Sequence, residues 1–438
     1  MNVSNVTIEN CKHALADIVA QAMCIGCGFC EGIAGRDAIR MIPAQTGYLH
    51  PELVGSPSLD DFETILSCCP SRHLQTLPAA EQSVETKHDK IWGPYRRLVH
   101  GWASDPEERF EGSTGGVLTA LAAFLVNSGT VDFVLHAKAS ETDPPHGEHH
   151  LSFSRADVLA GAGSRYGPTA VLSDIGAILD RGQPFAFIGK PCDVSALRNY
   201  AMIDPRVDAL VKYRMTLVCG GFMPPEGTEA FLDQYGVTPQ QVVHFRYRGR
   251  GFPGPTRFET KDGDVFEKTY YDFWGENYDR WTLPHRCKIC PDSIGEGTDI
   301  VAADPWPGGG PDLSDDSDPG TNVIIARTEA GVLLLHAAES AGALTLGSEA
   351  TLEQMNNYQP HQVARKYTSW ARLEGLKAEN RMVPETSGLR IAELAQEMTQ
   401  EFLADQTQGT RLRVQEGTAS EKRPDWDTAP ALGLILKP

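Results

Sequence analysis

Cys24, Cys27 and Cys30 stand at two-residue intervals in "MCIGCGFCEGIAG", and a Cys-Pro pair follows in "ILSCCPSRHL". Three thiolates so spaced reach one inorganic centre, so the chain has to fold back and bring a fourth ligand to it. In bacterial ferredoxins the run is C-x2-C-x2-C-x3-C-P, and its last cysteine serves the other cluster. Here the fourth place of the first run is Ala34, while Cys69 precedes Pro70 and the places ahead of it hold Leu59, Phe62 and Ile65. The ligands of one cluster survive and those of the other are gone. Cys24, Cys27, Cys30 and Cys69 are therefore expected to hold one 4Fe-4S cluster, with Cys68 and Cys11 as spare thiols. A four-cysteine zinc site is the alternative, although such sites normally pair two separate C-x2-C clips.

The 438 residues exceed what a single core usually organises, so two or three domains are expected. A net charge of -19 argues against a general nucleic-acid binder, because a phosphate backbone would be repelled. The longest apolar run, "GVLTALAAFLV", is about half the ~20 residues a membrane span needs. The first residues lack the basic start and apolar stretch of a secretion signal, which points to the cytoplasm. Ten cysteines in a reducing compartment favour metal or redox chemistry over disulfides.

Four regions are expected: 1–92, loop-rich and cysteine-bearing; 93–175; 176–376; and 377–438, a helix and tail. "RRLVHGWAS", "EGSTGG", "VLTALAAFLVNSG" and "TVDFVLHAKA" read as strand, glycine loop, helix and strand, a βαβ unit that implies a parallel sheet. "PFAFIG", "YRMTLVC", "VVHFRYRGRGFPG" and "TDIVAADPW" read as further strands, and "GLRIAELAQEMTQEFLADQ" as one tail helix. Pro305 to Asn322 is too rich in Gly, Pro and Asp for regular structure and serves as linker or lid.

Cys192 and Cys219 each follow an apolar strand, and parallel strands deliver their carboxyl ends to one sheet edge. "CKIC" adds Cys287 and Cys290 as a C-x2-C clip. Four thiols from three segments suit a second 4Fe-4S cluster, a zinc ion, or a buried set without a ligand. In "EGSTGG", Gly112, Ser113, Thr114, Gly115 and Gly116 precede a helix, where free backbone N–H groups favour a phosphate or an ordinary cap. Arg246, Arg248 and Arg250 alternate along a strand and would offer cations to a diphosphate or carboxylate, or to solvent. His100 and His136 are candidate proton donors near neutral pH, with a structural role as the alternative.

"GSTGGVLTALAAFLV", "RYGPTAV", "IGKPCDVSALR", "LVCGGF", "FRYRGRGFPG", "CKICPDSIGEGTDIVAADPW" and "GTNVIIARTEAGVLLL", in this order, resemble the coenzyme F420 hydrogenase/dehydrogenase beta-subunit family. The N-terminal segment is similar to that of its 7-hydroxymethyl chlorophyll a reductase and ferredoxin-dependent 8-vinyl reductase branch. The resemblance implies an α/β fold: a flavin-binding α/β body of beta-subunit type behind a ferredoxin-like iron-sulfur segment. It implies FAD and two 4Fe-4S clusters, the second on Cys192, Cys219, Cys287 and Cys290. It places Ser164, Arg165, Tyr166, Lys190 and Asp304 beside the flavin, with Lys190 and Asp193 departing from the usual Thr-Pro-Cys-Gln. The expected activity is relay of single electrons, from reduced ferredoxin or a similar donor, to FAD for reduction of a small organic substrate. An electron-transfer beta subunit of a larger hydrogenase or dehydrogenase, interacting with F420 or ferredoxin, is the alternative. A zinc-stapled protein without redox activity is a further one. No nucleic-acid or membrane partner is expected, and a homo-oligomer is left open.

Overall fold

The computed structural model describes residues 7–276, 283–314 and 318–426. Its centre is an eight-stranded sheet built from β1 (Arg97–Ala103), β2 (Phe133–Ala139), β3 (Gly147–Ser152), β4 (Phe185–Ile188), β5 (Val211–Leu217), β6 (Ile300–Ala303), β7 (Asn322–Ala326) and β8 (Leu344–Glu349). The strand order is β8-β1-β7-β6-β5-β4-β2-β3. β2, β4, β5 and β6 run parallel, while β3, β7 and β8 pair antiparallel to their neighbours. The expected βαβ unit is thus corrected in one respect. β1 and β2 are not neighbours, because the antiparallel β7 inserts between β1 and the parallel strands. All five β7 residues, "NVIIA", are buried, as befits a strand covered on both faces.

The helix Val117–Asn127 covers one face of this sheet and buries Val117, Leu121 and Leu125 against Val99, Val134 and Met215. Phe29, Ile175 and Leu197 cover other strands together with Phe133, Phe185 and Phe187. The sheet therefore spans the expected boundary at residue 175, since β1 to β3 precede it and β4 to β8 follow. "VVHFRYRGRGFPG" joins the sheet Val242–Arg246, Thr256–Thr260 and Val265–Lys268 instead, and its strand stops at Arg246.

The N-terminal region carries more regular structure than its sequence suggested. Helix Ile8–Ala20 starts on a Thr7 cap and helix Leu59–Cys68 on a Ser58–Asp61 capping box. A hairpin, Ile39–Pro43 with Leu49–Leu53, lies between them. Phe62 and Ile65 are buried and Leu59 packs beside them, in the same core as Cys24, Cys30 and Cys69. The tail is two helices, Ile391–Ala395 and Gln400–Gln415, because Thr399 caps a new start. Tail strand Glu385–Ser387 pairs in parallel with His73–Gln75, and Leu389 and Ile391 enter the N-terminal core.

Residues 305–314 lie against the body, with Tyr271 Oη donating to Pro311 O at 2.8 Å. Asp315, Asp316 and Ser317 of the same segment, and "APALGLILKP", fall outside the described residues. Among the described residues no helix is long and apolar enough to cross a membrane.

Candidate functional site

The carboxyl ends of β4, β5 and β6 open on a cavity of about 260 Å³, lined by Gly189, Lys190, Cys219, Asp304 and Trp306 among others. Open parallel sheets bind ligands at this edge. Asp304 follows β6 and accepts from Arg248 Nη1 at 3.0 Å and from the Thr114 hydroxyl. Arg248 Nη2 donates to Thr114 Oγ1 at 2.7 Å, and Nη1 approaches the Tyr166 hydroxyl at 3.3 Å. Its guanidinium lies 4.5 Å from the Trp306 ring centroid, so the cation is walled by an aromatic face. Burial works against that charge, but Asp304 and the neighbouring tyrosines outweigh it and hold Arg248 cationic.

The other expected phosphate groups are engaged within the protein. Gly115 N–H and Val117 N–H both donate to Asn322 Oδ1, at 3.1 and 3.4 Å, so part of the helix start is already capped. Gly112 is required by its own loop, since a Cβ there would lie 2.6 Å from Gly116 Cα. Arg246 pairs with Glu111 at 2.9 Å and Arg250 with the same carboxylate at 3.4 Å. The expected alternation fails because the strand ends and Arg250 takes a positive φ of 62°. Only Arg248 of the three reaches the cavity wall.

Ser164 donates to Ser113 Oγ at 2.8 Å and joins the two loops over the cavity. Arg165, lowered to about 10 by burial, donates to Phe245 O at 2.8 Å. His136 is on the wall, but its Nε2 bonds with Ser152 Oγ at 2.7 Å and its Nδ1 with Ala137 O at 3.0 Å. Burial lowers His136 to about 4, so it is neutral near pH 7 and is no imidazolium acid. His100 is not on the wall. Its Nδ1 bonds with Ser348 O at 3.0 Å and its ring meets Tyr358.

Both cysteine sets converge. Cys24, Cys27 and Cys30 each have Cys69 as an electrostatic neighbour. Cys68 is fully buried in the cluster that holds Cys27, Phe29 and Leu197, and Cys24, Cys27 and Cys30 have Cys69 as their neighbour in its place. The Gly26 N–H points at Cys24, the Phe29 N–H at Cys27 and the Ser71 N–H at Cys69, while the Ser71 hydroxyl donates to Met23 O. In the second set Cys192 has Cys219 and Cys290 as neighbours, and Cys287 has the same two. A Cβ on Gly221, two residues past Cys219, would lie 3.5 Å from Cys287 Cβ. Burial pushes the Cys24 and Cys287 thiols up to about 12, so any metal centre held there would have to displace their protons.

The two sets adjoin each other: Cys27 and Cys192 pack in one apolar cluster, and Lys190 has both as electrostatic neighbours. Lys190 Nζ pairs with Asp193 at 2.8 Å and both line the cavity. Asn322, Gln359 and helix Pro360–Ala378 were not singled out from the sequence. Gln359 Nε2 donates to Asp304 O at 2.6 Å, and Arg365 Nη2 donates to Gly220 O at 2.6 Å. The available signal was the spacing of Gln362, Arg365, Lys366 and Ser369, a buried polar stripe on one helical face.

Sheet, cavity and paired thiol sets define an α/β protein of redox type. The chain belongs to the coenzyme F420 hydrogenase/dehydrogenase beta-subunit family, whose N-terminal model matches residues 98–175 and whose C-terminal model matches residues 182–351. It is 29% identical over 241 residues to the F420-dependent formate dehydrogenase 1 subunit beta of Methanococcus maripaludis, covering 55% of this chain and 58% of that protein. The match thus spans somewhat over half the length of that curated relative. A chain of the F420-reducing [NiFe] hydrogenase complex from Methanosarcina barkeri shares the fold, with a TM-score of 0.52 at 18% identity over 68% of this chain and 98% of that one.

Proposed function

We propose that this chain is an electron-transfer beta-type subunit of a hydrogenase or dehydrogenase, with a 4Fe-4S cluster on each cysteine set and a deazaflavin such as F420 in the cavity. The observation that carries the reading is the contiguity of the three places. Cys219 and Lys190 stand in the cavity wall, and Lys190 also neighbours Cys192 and, in the other set, Cys27. The family and the formate dehydrogenase relative are both named for F420. When bound, such clusters carry single electrons and a deazaflavin carries two.

The cavity's 260 Å³ is below the roughly 300–1,000 Å³ of sites that enclose a whole ligand, so a ring system fits with its tail outside. The groups expected to take the FAD diphosphate, Arg246, Arg250 and the Gly115 amide, are bonded within the protein and so are not free to hold it. Trp306 and Tyr270 offer ring faces, and Asp304 with Thr114 fixes the Arg248 charge beside them.

A second reading, a ferredoxin-linked reductase of a small organic molecule, is favoured by the first cysteine set. Residues 24–69 lie outside the stretches the family models match, on a core shared with tail residues Leu373, Leu389 and Ile391, where a small one-electron donor could dock. Anaerobic purification with iron, sulfide, zinc and flavin analysis tests both readings, followed by reduction with reduced F420 or reduced ferredoxin. About eight iron per chain is expected, with bleaching of the cluster absorption by reduced F420. Bleaching by ferredoxin alone selects the second reading. Zinc without iron ends both.

A further inference from the structure

Arg286 is 1% exposed, yet its charge has no carboxylate partner among the described residues. Arg198, Arg214, Arg246 and Arg248, all buried, each pair with one, and Arg327 donates to three carbonyl oxygens. Among the described residues Arg286 donates only to Pro70 O, at 3.1 Å, and to the Cys290 sulfur, and its Nε has no partner there. Burying a guanidinium without compensation costs several kcal/mol, so a site that retains one must supply negative charge in another form.

The cysteines around it, once they hold a cluster as thiolates, would supply that charge. Cys290, Cys192 and Cys287 of the second set are its electrostatic neighbours, and Cys69 of the first set feels it from the other side, next to Pro70. The two arginines nearby differ. Arg72 neighbours Cys69, and Arg365 neighbours Cys219 and Cys287. Lys190 also stands between the sets, but its charge is offset by Asp193 at 2.8 Å.

The geometry points to Arg286 as a positioning residue that serves both cysteine sets at once: its charge, paired with no carboxylate, stabilises the added electron on either cluster and raises both reduction potentials. The inference rests on the cluster reading above. Each one-electron reduction adds one negative charge, and a fixed cation shared by two anionic centres favours that step at both. Because guanidinium does not titrate in proteins, this contribution is independent of pH.

The test is a redox titration of the anaerobically purified full chain, with cluster spins read by electron paramagnetic resonance. Arg286→Gln is expected to lower both midpoints, each by about tenfold in the reduced-to-oxidised ratio, or ~59 mV for a one-electron couple. Arg72→Gln should move only the first cluster and Arg365→Gln only the second. A shift confined to one cluster in Arg286→Gln, or no shift, overturns the inference while leaving the clusters in place. Should that variant fail to hold iron, Arg286→Lys decides: smaller shifts of both midpoints uphold it, and unchanged or single shifts overturn it. Wild-type protein without iron fails at an earlier step and sinks the cluster reading itself.

Discussion

Cys24, Cys27, Cys30 and Cys69 come from one local segment, on a core of Leu15, Ile18, Phe62 and Ile65. Cys192, Cys219, Cys287 and Cys290 come instead from the ends of β4 and β5 and a distant clip, among Lys190, Arg286 and Arg365. The first set is shaped by apolar packing of one local segment, closed over by tail residues such as Leu389 and Ile391, and the second by sheet topology and buried cations. Local packing should fail locally, whereas a set assembled by the sheet should persist until the sheet opens.

The sharpest way to break this contrast is to remove one ligand from each set. Cys27→Ser should lose the first set's iron and loosen residues 7–92, with the second set still loaded. Cys219→Ser should lose the second set's iron alone and stop electron transfer at the cavity. Iron analysis with limited proteolysis reads both, and loss of all iron in either variant would contradict independent assembly. Next in size, Phe62→Ala should cost about 3–5 kcal/mol in the N-terminal core. Urea unfolding should then release the first set's iron at lower denaturant than the second's, and simultaneous release would erase the distinction.

Asp304→Ala leaves Arg248 buried without its anion, at a cost of about 3 kcal/mol. It should destabilise the body and weaken binding in the cavity without changing iron content, and a change in iron would tie the cavity network to the clusters. The smallest expected effect comes from pH. His136 in the body is lowered from 6.5 to about 4, so the native state binds fewer protons than the unfolded chain in that window. Stability contributed there is present above 6.5 and is lost as pH falls, by at most about 1.4 kcal/mol per unit. Near the first set His50 behaves alike, lowered to about 4, but Glu421, 3.3 Å away, is raised by burial from 4.5 to about 7. Its stabilisation is present at low pH and lost as pH rises towards 7, so the two slopes offset each other. Hydrogen exchange on acidification should open β2 and β3 before residues 418–426, and the reverse order would refute the assignment.

The same contrast explains what was legible in the sequence. The triplet and its Cys-Pro partner could be matched to a spacing rule because both lie on one local segment. For the second set, strand-end cysteines were visible but their meeting depended on family resemblance, since no sequence interval encodes which strand ends are adjacent. β4, β5 and β6 fell where apolar runs placed them. The direction of β7 did not, because an antiparallel insertion leaves no mark on a fully buried apolar strand. Arginine alternation misled at Arg246 and Arg250, where a strand end and the Glu111 carboxylate override periodicity. His136 was read as a candidate proton donor, but the burial that leaves it neutral and its bonds to Ser152 and Ala137 come from a hairpin whose register the sequence does not show.

The pairing of His73–Gln75 with Glu385–Ser387 has a consequence for biogenesis. The ribosome delivers the first cysteine set early, but its shell includes Leu373, Leu389 and Ile391 and is completed only some three hundred residues later. Until those residues emerge the four thiols are open to solvent and to competing metals. On the cluster reading proposed above, iron delivery follows synthesis of the tail, or is escorted until the ladder closes.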